Sequence, residues 1–95
     1  MGIDYSTPVV IVDDYRTMLR IIGNLLMQIG FRDIRAAGDG HAALDMLRER
    51  PAGLIISDWN MEPMSGFELL RSVRADALLR HIPFIMVTAE SKTEN

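Results

Sequence analysis

The sequence predicts an α/β domain built on a parallel β-sheet with helices on both faces. Three observations carry this. The runs Val9-Val10-Ile11-Val12, Leu54-Ile55-Ile56-Ser57 and Phe84-Ile85-Met86-Val87 are short, apolar and bounded by polar or turn residues. That is the pattern of strands buried on both sides in a parallel sheet. Between the runs, apolar residues recur at three- and four-residue spacing, the period of a helix with one buried face. Two of the runs also end in aspartate, Asp13-Asp14 and Asp58. In an open α/β sheet the binding crevice lies outside the carboxyl ends of the strands.

Taken in order, the first strand is Val9 to Val12. A helix follows from about Tyr15 to Gln28, with Met18, Ile22, Leu25, Leu26 and Ile29 as its apolar stripe, and Gly30 is placed to end it. A second, more polar strand near Asp33 to Ala37 has the composition of an edge strand. Gly38-Asp39-Gly40 is a turn in which Asp39 caps the second helix, which carries Ala43, Leu44 and Leu47 and stops before Pro51. The third strand is Leu54 to Ser57. After a loop from Asp58 to Met64, Ser65-Gly66-Phe67-Glu68 is a capping-box start for a third helix, with Phe67, Leu70 and Val73 as its buried face. Pro83 precedes the fourth strand, Phe84 to Val87, which runs into Thr88; Ala89 to Asn95 is polar. The pattern is (βα)₃β, which predicts right-handed crossovers and one domain over residues 1–95.

Composition narrows the function. A chain of 95 residues suits one small domain with a modest core. The net charge of −3 and the lack of any basic run speak against nucleic-acid binding. No apolar stretch is long enough to span a membrane, and the N-terminus lacks the basic and apolar regions of a signal peptide. Without cysteine there are no disulfides and no thiolate metal sites, and a cytoplasmic setting is expected.

The chemistry lies at the strand ends: Asp13-Asp14 after the first, Asp58 after the third and Thr88 after the fourth. Each has an ordinary role open to it. Asp14 can cap the first helix, Asp58 can be a solvated turn residue, and Thr88 a plain strand-end residue. Their joint placement points instead to one site. Carboxylate oxygens of this kind suit Mg²⁺, which takes one or two carboxylates and keeps several waters. Asp58 can then act as a nucleophile toward phosphorus, with the metal neutralising charge on the transferring group. The Thr88 hydroxyl is suited to donate to a phosphoryl oxygen. Other constellations are weaker. His41 and His81 form no ligand-spaced pair, Met61, Met64 and Met86 suit loop and core packing, and no glycine-rich phosphate loop is present.

Val9-Val10-Ile11-Val12-Asp13-Asp14, Ser57-Asp58-Trp59-Asn60-Met61 and Met86-Val87-Thr88-Ala89-Glu90 together resemble the receiver domain of two-component response regulators, especially its single-domain chemotaxis (CheY-type) group. The resemblance covers nearly the whole chain. It implies a flavodoxin-like fold with strand order 2-1-3-4-5, a known property of that group. It implies that Asp58 accepts a phosphoryl group from a sensor histidine kinase. Asp14 would bind Mg²⁺ directly, Asp13 through water, Asp58 with them, and Asn60 by its backbone carbonyl. Thr88 would be the switch hydroxyl and Ala89 would offer a backbone N–H. Asn60 and Glu90 match the positions that modulate how fast the phosphoryl group is lost. A downstream protein target is implied as well.

Two departures from the family pattern stand out. The proline usual after the methionine of Asp-x-x-Met is Glu62 here, which adds negative charge near the site, with Pro63 next. The family's last helix-strand-helix, which carries a lysine that pairs with the phosphoryl group, has no counterpart; Lys92 lies only four residues after Thr88. A partial receiver of strands 1–4 and helices 1–3 is therefore expected, with the fourth strand as an apolar edge that favours a homodimer. Two other functions compete: a non-switching interaction or dimerisation module, and a Mg²⁺-dependent phosphatase of the haloacid dehalogenase type. The latter class usually needs a second aspartate two residues after the nucleophile, where this chain has Asn60.

Overall fold

The computed structural model of the chain describes residues 2–87. Within them the elements alternate as expected: β1 (Val9–Val12), α1 (Arg16–Ile29), β2 (Ile34–Ala37), α2 (Gly40–Glu49), β3 (Leu54–Asp58), α3 (Gly66–Ala75) and β4 (Phe84–Val87). The four strands form one parallel sheet in the order β2-β1-β3-β4. This is the order that the resemblance implies for its first four strands, and the fold is flavodoxin-like. Thr88, Ala89, Glu90 and Lys92, to which roles or positions were attached above, lie outside the described residues.

β1 is the centre of the molecule. All four of its side chains are buried, and the two-residue period of a strand sends them to opposite faces. Val10 and Val12 join a core with Leu44 and Leu47 of α2 and Leu69 and Val73 of α3. Val9 and Ile11 join a second core with Leu26 of α1 and Ile56 of β3. A run with no polar residue is thus what a central strand needs.

Helix ends follow local chemistry. Asp39 accepts a hydrogen bond from the Ala42 N–H at 2.8 Å and caps α2. Ser65 and Glu68 form the complete capping box of α3. Gly30 ends α1 with φ of +134°, in the region that favours glycine, and its N–H donates to the Leu26 carbonyl. Arg35 of β2 reaches across to the end of α2, donating to the carbonyls of Met46 and Arg50 at 3.0 and 2.6 Å. Arg50 in turn donates twice to Asp33, which holds that exposed carboxyl below the ordinary carboxylate range.

Two helix faces differ from expectation. On α1, Leu25 and Ile29 are exposed at 53% and 55%, while Leu19, Ile22 and Leu26 meet the sheet. Apolar residues cover more than one face of this helix, so periodicity leaves its rotation open. On α3, Phe67 is 48% exposed, and Leu69 is fully buried with Val73. Close approach at Gly66 turns residues 66, 69 and 73 inward. β2 begins at Ile34 and not Asp33, and β3 extends one residue further, to Asp58.

Candidate functional site

The sheet brings the three aspartates together. Val12 of β1 lies opposite Ser57 of β3, so Asp13 and Asp58 follow at the same level on neighbouring strands. One carboxylate oxygen from each of Asp13, Asp14 and Asp58 lies within 4.8 Å of the others. Asp13 and Asp58 are buried, at 2% and 4% exposure, and Asp14 is exposed. The cluster therefore has two walls and one open side.

Backbone contacts fix each member. The Asp13 N–H donates to the Ala37 carbonyl at 3.2 Å, tying the end of β1 to β2. The Tyr15 N–H donates to an Asp13 carboxylate oxygen at 2.9 Å. Tyr15 is the N-cap of α1, and its own side chain makes no cap hydrogen bond. Asp58 pairs with Val87 of β4, and the next N–H, that of Trp59, donates to the Val87 carbonyl at 3.0 Å. The Ser57 hydroxyl donates to the Asp58 carbonyl at 3.0 Å.

The loop from β3 to α3 closes the other side. Gly66 donates its N–H to the Trp59 carbonyl at 2.9 Å. A Cβ at Gly66 would overlap the Asp58 carbonyl oxygen and come within 2.9 Å of the Met86 sulfur. Only glycine allows α3 to start this close to β3. Met61 is buried at 5%, and Met64 packs over Gly40. The methionines thus serve packing, as expected. The Glu62–Pro63 peptide bond in this loop is cis.

A cavity of about 230 Å³ opens beside the cluster, lined by Asp14, Asn60, Met61, Glu62 and Ser65. A larger one, about 410 Å³, lies along α3 between Glu68, Arg71, Ser72 and Ala75. None of the three aspartates lines it, so the smaller cavity is the one that bears on chemistry. Trp59, next to Asp58 in the chain, stacks on Phe67, with ring centroids 6.2 Å apart and an interplanar angle of 29°.

These residues fit a hard divalent cation. Three carboxylates at the ends of adjacent strands supply the oxygen ligands that such ions prefer, and an open side leaves room for water and a substrate oxygen. The same cluster without a cation would carry strong mutual repulsion. Sequence reasoning found the aspartates and Asn60. The family pattern also set Glu62 near the site, where it lines the cavity; the Trp59–Phe67 stack was not found. The glycine inside the capping box, Gly66, was the available signal for close approach to β3. Among the described residues no helix is long and apolar enough to cross a membrane.

Comparison with known proteins agrees with this architecture. The model of the response regulator receiver domain matches residues 9–95. Chemotaxis protein CheY-3 of Vibrio cholerae serotype O1 is 46% identical over 86 residues, which is 90% of this chain and 66% of that protein. Chemotaxis protein CheY of Pseudomonas aeruginosa is 50% identical over 86 residues, 90% of this chain and 69% of that protein. This chain therefore spans about two thirds of the length of each. Among solved structures, chemotaxis response regulator CheY4 of Vibrio cholerae superposes with a TM-score of 0.80 at 29% identity, covering 94% of this chain and 76% of that one. The N-terminal domain of a response regulator receiver protein from Methanoculleus marisnigri gives 0.80 at 29% identity, over 93% of this chain and 75% of the other.

Proposed function

Because the chain belongs to the response regulator receiver family, we propose that it is a phosphoacceptor of two-component signalling, taking a phosphoryl group from a sensor histidine kinase onto Asp58. The observation that carries this is the meeting of Asp13, Asp14 and Asp58 within 4.8 Å at the carboxyl ends of neighbouring strands. The names of the relatives favour a chemotaxis-type pathway. The setting is cytoplasmic, and a downstream protein target receives the signal. The chemistry is confined to the chain's own phosphorylation and dephosphorylation.

Asp58 is the nucleophile. One of its carboxylate oxygens forms a new P–O bond as the P–N bond to the kinase histidine breaks, leaving an acyl phosphate on Asp58 and a free imidazole. Asp13, Asp14, Asp58 and the backbone carbonyl of Asn60 would hold Mg²⁺, with Asp14 as its direct ligand. Mg²⁺, when bound, neutralises charge on the transferring phosphoryl group and orients it. The Tyr15 N–H holds the Asp13 carboxylate in place for this. Thr88 donates its hydroxyl to the phosphoryl group and Ala89 its N–H, while Asn60 and Glu90 modulate the lifetime of the acyl phosphate.

Trp59 adjoins Asp58 and is the chain's one tryptophan, so its fluorescence reports the site. Mg²⁺ should change the emission, and acetyl phosphate or beryllofluoride should change it further. Asp58→Asn should abolish the acetyl phosphate response in a folded sample; a persisting response would overturn the assignment of the nucleophile. A second reading, an interaction or dimerisation module without switching, is favoured by β4. It is the outer strand of the described sheet, with Ile85 48% exposed. A folded protein whose emission responds to neither Mg²⁺ nor phosphodonor would support that reading instead.

A further inference from the structure

We propose that Glu62 sets the electrostatic selectivity of the Asp58 site, strengthening its hold on a divalent cation and disfavouring dianionic small-molecule phosphodonors. This rests on the phosphoacceptor function proposed above and concerns a residue that function does not use.

The argument begins with where Glu62 is held. It is exposed, yet it shares one cavity of about 230 Å³ with Asp14 and Asn60. The backbone on either side is anchored. Met61, just before it, is buried at 5%, and Ser65, three residues on, is fixed by the capping box of α3. Gly66 closes the loop onto the Trp59 carbonyl. Glu62 therefore keeps its charge at the mouth of the site. Among the described residues that line it, none is basic.

The cavity is the approach to the open, Asp14 side of the cluster. A further negative charge there acts on whatever enters. A divalent cation is attracted with twice the force felt by a monovalent one, and a dianionic donor is repelled more than a monoanionic one. For one charge several ångströms away in largely aqueous surroundings, Coulomb's law gives about a three- to tenfold effect on the affinity of a divalent ion. The effect fades as the Debye length shortens from roughly 30 Å at 0.01 M salt to roughly 8 Å at 0.15 M.

The donor side of the prediction needs two reagents that differ in charge. Acetyl phosphate is dianionic near neutral pH; the Asp58 oxygen forms its bond to phosphorus as the P–O bond to acetate breaks, and acetate leaves. Phosphoramidate carries one negative charge less, because its nitrogen is protonated. Its P–N bond breaks and ammonia leaves. Both give the same acyl phosphate.

The test compares the wild type with Glu62→Gln, Glu62→Lys and a remote control, Glu49→Gln, at the far end of α2. Mg²⁺ dissociation constants are read from Trp59 fluorescence at low and at physiological salt. Phosphorylation rates with each donor are read at saturating Mg²⁺. Mg²⁺ binding should weaken about three- to tenfold in Glu62→Gln at low salt, and further in Glu62→Lys, with the differences shrinking at higher salt. The ratio of acetyl phosphate to phosphoramidate rates should rise in the same order. Equal constants and ratios across the Glu62 variants would overturn the inference and leave the phosphoacceptor function standing. So would an equal shift in Glu49→Gln, which would mark a mere effect of net charge. A wild type that binds Mg²⁺ to no effect and accepts neither donor would overturn both.

Discussion

Asp58 owes its position to residues that never touch a substrate. Its strand is clamped between β1 and β4, and its own carbonyl sits against Gly66. A methyl group at Gly66 has nowhere to go, because the atom it meets is backbone and cannot rotate away. Gly66→Ala should therefore cost about 1–3 kcal/mol or more, as overpacking of a tight core does. It should also displace Asp58 and weaken the Mg²⁺ response of Trp59. A denaturation midpoint and Mg²⁺ affinity equal to those of the wild type would show that α3 can shift without disturbing the site. At this scale the sequence was informative about the acids. Parallel strands that end at one level bring their next residues together, so Asp13 and Asp58 could be paired from the two apolar runs alone. The charge of Glu62 near the site was legible from the family pattern, but the Trp59–Phe67 stack was not, because it joins a loop residue to a helix whose rotation periodicity leaves open.

Elements were legible in kind and order but not in rotation. The apolar residues of α3, Phe67, Leu69, Leu70 and Val73, make two overlapping stripes of nearly equal merit. Periodicity says which residues share a face; only the contact at Gly66 says which face meets the sheet. α1 poses the same ambiguity with more apolar residues still: Ile22 and Leu26 face in as expected, Leu19 joins them, and Leu25 and Ile29 do not. Single substitutions, one on each α3 stripe, separate the alternatives. Leu69→Ala removes a fully buried side chain and should cost about 2–5 kcal/mol. Phe67→Ala removes a half-exposed ring and should cost about 1 kcal/mol or less, consistent with a modest aromatic pair. It should nonetheless shift Trp59 emission, because the two rings stack. The reverse order of costs, measured by urea denaturation, would place Phe67 in the core.

At the scale of the whole molecule, the four-stranded sheet separates two cores of unequal extent. The larger lies under α2 and α3, and the smaller under α1. β1 belongs to both, which is why its run had to be apolar throughout and was the easiest element to find. The outer position of β4 has a consequence for assembly. Among the described residues β4 is the outermost strand, and an outermost strand offers backbone donors and acceptors to a partner. Light scattering at low micromolar concentration should show a dimer, and a clean monomer would contradict self-association through β4 without touching the phosphoacceptor site. That site faces the carboxyl ends of the strands, not the sheet's edge. The most direct test of it is intact-protein mass spectrometry after incubation with acetyl phosphate. With Mg²⁺ the wild type should gain the mass of one phosphoryl group, and it should gain none in EDTA or as Asp58→Asn. A phosphoryl adduct that persists in Asp58→Asn, or forms equally without a divalent cation, would contradict the assignment of Asp58 and its acidic neighbours.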